Sequence, residues 1–210
     1  TIPTGLFRGL ENIGADYRTL RAILGGADAG GGVTWAPQVI EDAAEHGLIL
    51  GENGRLYDSK KGESLPKGIK PMPTLSSDDL SKVPEPTAQT LVQRYVARYN
   101  DLMAFAAKKP VTVIGEEGIL TDKPGFNIDF LTRSPTPNTT DVFEKSAVLM
   151  PMRGHWKLSW DGGNVVLNPG DTCLLQPGFV HKVEPSVTGE ASLYRILSND
   201  DPAGPTWDGN

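Results

Sequence analysis

The chain has 210 residues, 38% hydrophobic and 22% charged, the balance of a globular protein able to bury a sizeable core. Its net charge is −6, and its only tight basic pairs are Lys60-Lys61 and Lys108-Lys109, which excludes the clustered positive face that nucleic acid or an anionic membrane needs. A single cysteine, Cys173, excludes an intramolecular disulfide framework.

No apolar run approaches the roughly 20 residues that cross a bilayer, and no secretory signal pattern is visible, so the cytoplasm is the expected location. Cys173 sits in the apolar run Cys173-Leu174-Leu175 and reads as a buried, inert thiol.

Two regimes follow one another along the chain. Residues 1–107 read as a helix-and-loop extension, 108–200 as a β-barrel and 201–210 as a tail. The glycine-dense stretch GGADAGGG, residues 25–32, reads as a flexible connection. No Gly-Lys-Ser/Thr follows it, as a phosphate loop requires, and no clear strand precedes it, as a dinucleotide fingerprint requires. A helix is expected from Pro37 to His46, with Gly47 as its stop. Pro37 suits the first turn, where its missing N–H costs nothing, and His46 is a favourable positive end-group.

The Gly-, Pro- and Lys-rich residues 51–73 read as an exposed loop with one small hairpin at Asn53-Gly54. The strongest helical pattern runs from Thr87 to Ala107, where Leu91, Tyr95, Tyr99, Leu102 and Ala106 recur at three- and four-residue steps. Thr87 caps its start, and Lys108-Lys109-Pro110 closes it.

From Pro110 the pattern changes to short strands broken by turn residues: VTVI, FNIDFLT, KSAVLMPM, HWKLSW, NVVL, TCLLQ, HKVEP and ASLYRIL. Such a series without intervening helices predicts an antiparallel sandwich or barrel. In HWKLSW, burial preference turns Trp156, Leu158 and Trp160 inward, and alternation then sends His155, Lys157 and Ser159 outward.

The stretch PGDTCLLQPGFVH, residues 169–181, resembles the second motif of the cupin superfamily. Gly170-Asp171 matches its first turn, Pro177-Gly178 its second, and His181 the histidine that projects into the barrel. Gln176 stands where a proline is frequent. The preceding DGGNVVLNPGD is similar to the hairpin that joins the two cupin motifs. The resemblance spans residues 110–200 and implies a mainly β fold: one antiparallel jelly-roll barrel preceded by a helical extension.

It also implies where a metal site belongs, since metal cupins bring two histidines and a glutamate from the first motif to the histidine of the second. With Gly154 matched to the first motif's closing glycine, the glutamate falls on Ala147 and the histidines on Phe143 and Asp141. That set lacks the family's ligands, so no metal or cofactor is expected. The weaker alternative is a divalent transition metal held by His181 and Glu144, with a local bulge turning Glu144 inward.

The barrel interior is expected to form either an aromatic site or simply a filled core. Phe130, Phe143, Trp156, Trp160 and Phe179 would be the walls of the site, with Arg133, Asp141, Glu144 and His181 as polar groups. His181 beside Asp141 is the candidate catalytic pair, a metal-free general base of the kind the resemblance implies for sugar-epimerase cupins.

Three readings stay open, the weakest of which makes the helical N-terminal half an interaction module and the barrel its scaffold; the other two concern the barrel itself. One is a small-molecule-binding cupin with a degraded metal site, serving as a non-metal subunit or partner of a cupin-type dioxygenase. The other is a metal-dependent dioxygenase, isomerase or lyase with an atypical ligand set around His181. The expected partners are a small, aromatic ligand and, on family grounds, a second copy of the chain or a partner cupin chain.

Overall fold

A computed structural model describes residues 6–23, 35–120, 125–133, 140–185 and 188–199. The connection at 25–32 and the tail at 201–210 lie outside them. The described parts of residues 5–20 and 28–85 form one compact unit, and those of 21–27 and 86–206 another.

In the first unit, α1 spans Pro37–Glu45 with proline in its first turn. His46 closes it, its Nδ1–H donating to the Asp42 carbonyl at 2.8 Å, so the ring caps the helix end as a hydrogen-bond donor. The strands β1 (Leu48–Leu50) and β2 (Leu56–Asp58) form the expected hairpin around Asn53-Gly54. Tyr57 is buried there and accepts a hydrogen bond from Asn53 Nδ2 at 2.9 Å. The one-turn helix α2 (Ser77–Leu80) carries a capping box between Ser76 and Asp79.

The second unit opens with α3 (Ala88–Tyr95), capped by Thr87, and α4 (Tyr99–Phe105). The single helix expected from Thr87 to Ala107 is therefore broken. The β-branched Val96 adopts an extended conformation at φ −117°, ψ 113°, ending the first helical hydrogen-bond ladder three residues before the second begins.

Eight strands follow: β3 (Val111–Ile114), β4 (Phe126–Thr132), β5 (Ala147–Arg153), β6 (Trp156–Trp160), β7 (Gly163–Leu167), β8 (Cys173–Leu175), β9 (Lys182–Pro185) and β10 (Ser192–Ser198). Every one overlaps a segment expected from the sequence. They build a five-stranded sheet in the order β3-β4-β10-β5-β8 and a three-stranded sheet in the order β7-β6-β9. All their pairings are antiparallel.

The five-stranded sheet buries both faces. On one side Phe126, Ile128, Phe130, Met150 and Ile196 pack with Leu102 of α4 and with Ala106, which caps its C-terminus. On the other Leu131, Ala147, Leu149 and Leu193 meet Trp156, Leu158, Leu167 and Val183 of the three-stranded sheet and its neighbours. The second cluster is the barrel interior. Because side chains alternate along a strand, this assignment decides which polar residues face inward.

The helix is tied to the sheet by hydrogen bonds as well as by packing. Tyr99 Oη lies 2.6 Å from the buried Ser192 Oγ, and Thr132 Oγ1 donates to the Ala106 carbonyl at 2.7 Å. Gly154, in the β5–β6 connection, has φ +64°, and a Cβ there would come within 2.5 Å of the Glu190 carbonyl oxygen. Only glycine fits that close approach.

Candidate functional site

The turn Pro177-Gly178 leads into the site. Gly178, at φ +74°, donates its N–H to the Phe143 carbonyl at 2.8 Å, which fixes Phe143 against the loop carrying Phe179 and His181. Asp141 and His181 form an antiparallel bridge and exchange two backbone hydrogen bonds, of 2.7 and 3.0 Å. Directly opposed residues in such a pair project to the same face, with Cβ atoms about 5 Å apart.

His181 is 1% exposed. Its ring is stacked with Phe179 (centroids 5.8 Å apart, 13° between planes) and lies 5.2 Å from Phe143. Nδ1 is 2.8 Å from the Phe179 carbonyl oxygen. A carbonyl only accepts, so Nδ1 carries the proton, and in the neutral form of the ring Nε2 is then the acceptor. That Nε2 is buried and has no hydrogen-bond partner among the described residues. Such an unmet polar atom costs about 1–3 kcal/mol, and buried groups left this way call for an explanation.

Beside it stands a charged cluster that sequence reasoning missed. One rung of paired residues crosses all five strands: Thr112, Asp129, Arg195, Leu149 and Cys173. Asp129 alternates with the helix-facing Phe130 and Ile128, so it points into the barrel. Arg195 donates to Asp129 Oδ2 through Nε at 3.2 Å and Nη2 at 2.8 Å, and Thr112 Oγ1 donates to Asp129 Oδ1 at 3.1 Å. Arg195 Nη1 lies 3.6 Å from Asp141 Oδ2, an ion pair too long for a hydrogen bond. The guanidinium also sits 5.3 Å from the Phe143 ring centroid. Phe143 thus contacts both the imidazole and the guanidinium. Cys173, on the same rung, has its thiol pKa pushed up by burial.

The structure therefore brings His181, Asp141, Phe143 and Phe179 together. Asp141 does not orient the imidazole, however: Nδ1 is spent on the Phe179 carbonyl, and the carboxylate faces Arg195. Trp160 lies 6.0 Å from Phe179 but is 37% exposed, at the hairpin end of β6. Trp156 is fully buried, its indole N–H shared between the carbonyls of Ser192 and Arg153; it is packed core and offers no open wall.

Phe130 is packed against Tyr99 and Tyr194 on the helix side, with centroids 5.7 and 5.0 Å away. Alternation, once α4 covers that face, excludes it from the interior. Arg133 donates to the carbonyls of Thr188 and Gly189 and anchors that loop. Glu144 is exposed.

The four-ligand metal set that the resemblance implies does not fit the residues found here. The matched positions hold Asp141, Phe143 and Ala147 with His181, and Arg195 already pairs with both nearby carboxylates. Among the described residues no group of three or more His, Cys, Asp or Glu side chains is placed to hold a metal ion.

No protein-family model matches the chain, and no curated protein does. Solved structures similar to it include a cupin-2 domain protein from Shewanella frigidimarina, at 15% identity and TM-score 0.41, covering 54% of this chain and all of that one. A protein from Neisseria meningitidis has 15% identity and TM-score 0.40, with 50% and 99% of the two chains covered. A cupin-like protein from Thermotoga maritima has 16% identity and TM-score 0.37, with 48% and 75% covered. With two antiparallel sheets facing across one core, and Gly-Asp and Pro-Gly turns leading to an inward histidine, the chain is a cupin-fold protein.

Proposed function

We propose that this cupin-fold protein binds a small molecule inside its barrel, with His181 as the hydrogen-bond acceptor and without the four-ligand metal site of the metal cupins. One observation carries the reading: the buried, unpartnered Nε2 of His181 between two phenyl rings. A ligand that donates to Nε2 removes the cost of leaving it unmet, and Phe143 and Phe179 supply the apolar contact that small-molecule sites use. A metal held by His181 and Glu144 has less support, because Glu144 is exposed and Arg195 places a permanent positive charge near the imidazole.

A thermal-shift screen of small neutral and charged ring compounds tests this, run on the full chain and on His181→Phe. Compounds that raise the melting temperature of the parent and not of the variant are expected. Equal shifts in both proteins would overturn the reading. Elemental analysis of protein purified without chelator decides the second reading. Stoichiometric transition metal that disappears in Glu144→Gln and His181→Phe would replace the metal-free account with a metal-dependent one.

A further inference from the structure

The three charged groups of the site are not equivalent. Asp129 is filled: one oxygen accepts from Thr112 and the other takes two N–H donors of Arg195. Asp141 is held only by the 3.6 Å ion pair, its side chain is 35% exposed, and its carboxylate accepts no hydrogen bond from a described residue. Arg195 Nη1 likewise makes no hydrogen bond to a described residue. A polar contact just beyond hydrogen-bond reach is the geometry that a third, bridging group completes. A hydroxyl serves both ends, accepting from Nη1 and donating to Oδ2.

The charge balance narrows the choice. Two carboxylates against one guanidinium leave an excess of one negative charge, so an incoming anion meets repulsion. His181 Nε2, a pure acceptor, asks for a second donor.

We infer that the site selects an uncharged, ring-shaped molecule with at least two hydroxyl groups. One hydroxyl donates to His181 Nε2, the other bridges Arg195 and Asp141, and the ring rests on Phe143 and Phe179. This rests on the small-molecule reading above and adds the ligand's chemical class. Asp141 is then the specificity residue, and Asp129 the positioning residue that holds Arg195.

The test titrates the full chain with catechol, cis-1,2-cyclohexanediol and benzoate at neutral pH, following imidazole and phenyl signals by NMR. At least one diol is expected to bind about tenfold or more tightly than benzoate, roughly 1.4 kcal/mol. Asp141→Asn removes the excess charge and should narrow that gap by about the same factor. His181→Phe, which keeps a ring in the core, should abolish the diol response.

Benzoate binding as tightly as the diols, and lost in His181→Phe, would overturn the ligand class while leaving the barrel as a binding site. A diol preference unchanged in Asp141→Asn would overturn the role given to Asp141. No response of the site signals to any of the three probes would overturn both the class and the binding reading on which it rests.

Discussion

Arg195→Met keeps most of the side chain's length and apolar stem but removes the guanidinium from Asp129 and Asp141. The two partners of the tighter pair are 20% and 15% exposed, so the bond is largely desolvated. Breaking such a pair on one side costs about 3–5 kcal/mol, because the remaining charge is left buried. Residual exposure and the Thr112 hydrogen bond to Asp129 lower the expectation to about 2–4 kcal/mol. A solvent-exposed pair would give only about 0–1 kcal/mol, so the magnitude itself tests whether Asp129 and Arg195 are buried in this rung.

The double variant Asp129→Val/Arg195→Met should recover much of the loss, since replacing a buried pair by apolar residues of similar volume is often close to neutral. A coupling energy of about 2 kcal/mol between the two sites is expected. Urea denaturation of the parent, Asp129→Val, Arg195→Met and the double variant, followed through tryptophan fluorescence, gives the four stabilities that the cycle needs. A loss below about 0.5 kcal/mol for Arg195→Met, or strict additivity in the double variant, would refute the burial of the pair in this rung.

Three further outcomes follow from the packing of α4 and from the titratable groups. Tyr99→Phe leaves the fully buried Ser192 hydroxyl without its 2.6 Å partner and should cost about 1–2 kcal/mol in the same denaturation assay. Leu102→Ala, at a position 1% exposed between α4 and the sheet, should cost about 2–4 kcal/mol; a loss under about 1 kcal/mol would mean the helix does not cover that face.

Burial raises Cys173 above its ordinary 9.0, and burial, reinforced by Tyr99, raises Tyr194 above its ordinary 10.0. The folded chain then holds these protons longer than the unfolded one, so stability is unaffected below about pH 9 and falls as pH rises beyond it. Cys173→Ser and Tyr194→Phe together should flatten that alkaline decline.

Much of the barrel was legible from turn chemistry. Asp161-Gly162-Gly163, Gly170-Asp171 and Pro177-Gly178 punctuate the apolar runs so clearly that the strands between them could be read directly. The helix from Thr87 was legible in its caps but not in its break at Val96, where a weak helix former yields to the geometry of the chain.

The site was harder to read, for a reason specific to β4. Alternation in FNIDFLT shows that Phe126, Ile128 and Phe130 share a face, but not whether that face is the barrel interior. In a sheet covered on both sides either face can be apolar. The decision belongs to α4 and its C-cap, where Leu102 and Ala106 take the Phe130 face and leave Asp129 and Arg195 to the interior. That placed Phe130 wrongly and hid both charged residues.

A signal was nevertheless present. An apolar helix face directly before the first strand needs a sheet to cover, and each of two otherwise uncharged strands carries one central charge of opposite sign. Read together, these features point to a covered outer face and a cross-strand ion pair within. Trp156 illustrates a different limit: alternation correctly turned it inward, but only the indole bond to the Ser192 carbonyl identifies it as sealed core.

The central claim is that His181 offers a bare Nε2 to the barrel interior. Long-range proton–nitrogen correlation NMR on the ligand-free protein measures this directly, since it reports which imidazole nitrogen carries the proton. The account predicts a proton on Nδ1, held by the Phe179 carbonyl, and none on Nε2. A proton found on Nε2 with Nδ1 bare would contradict it.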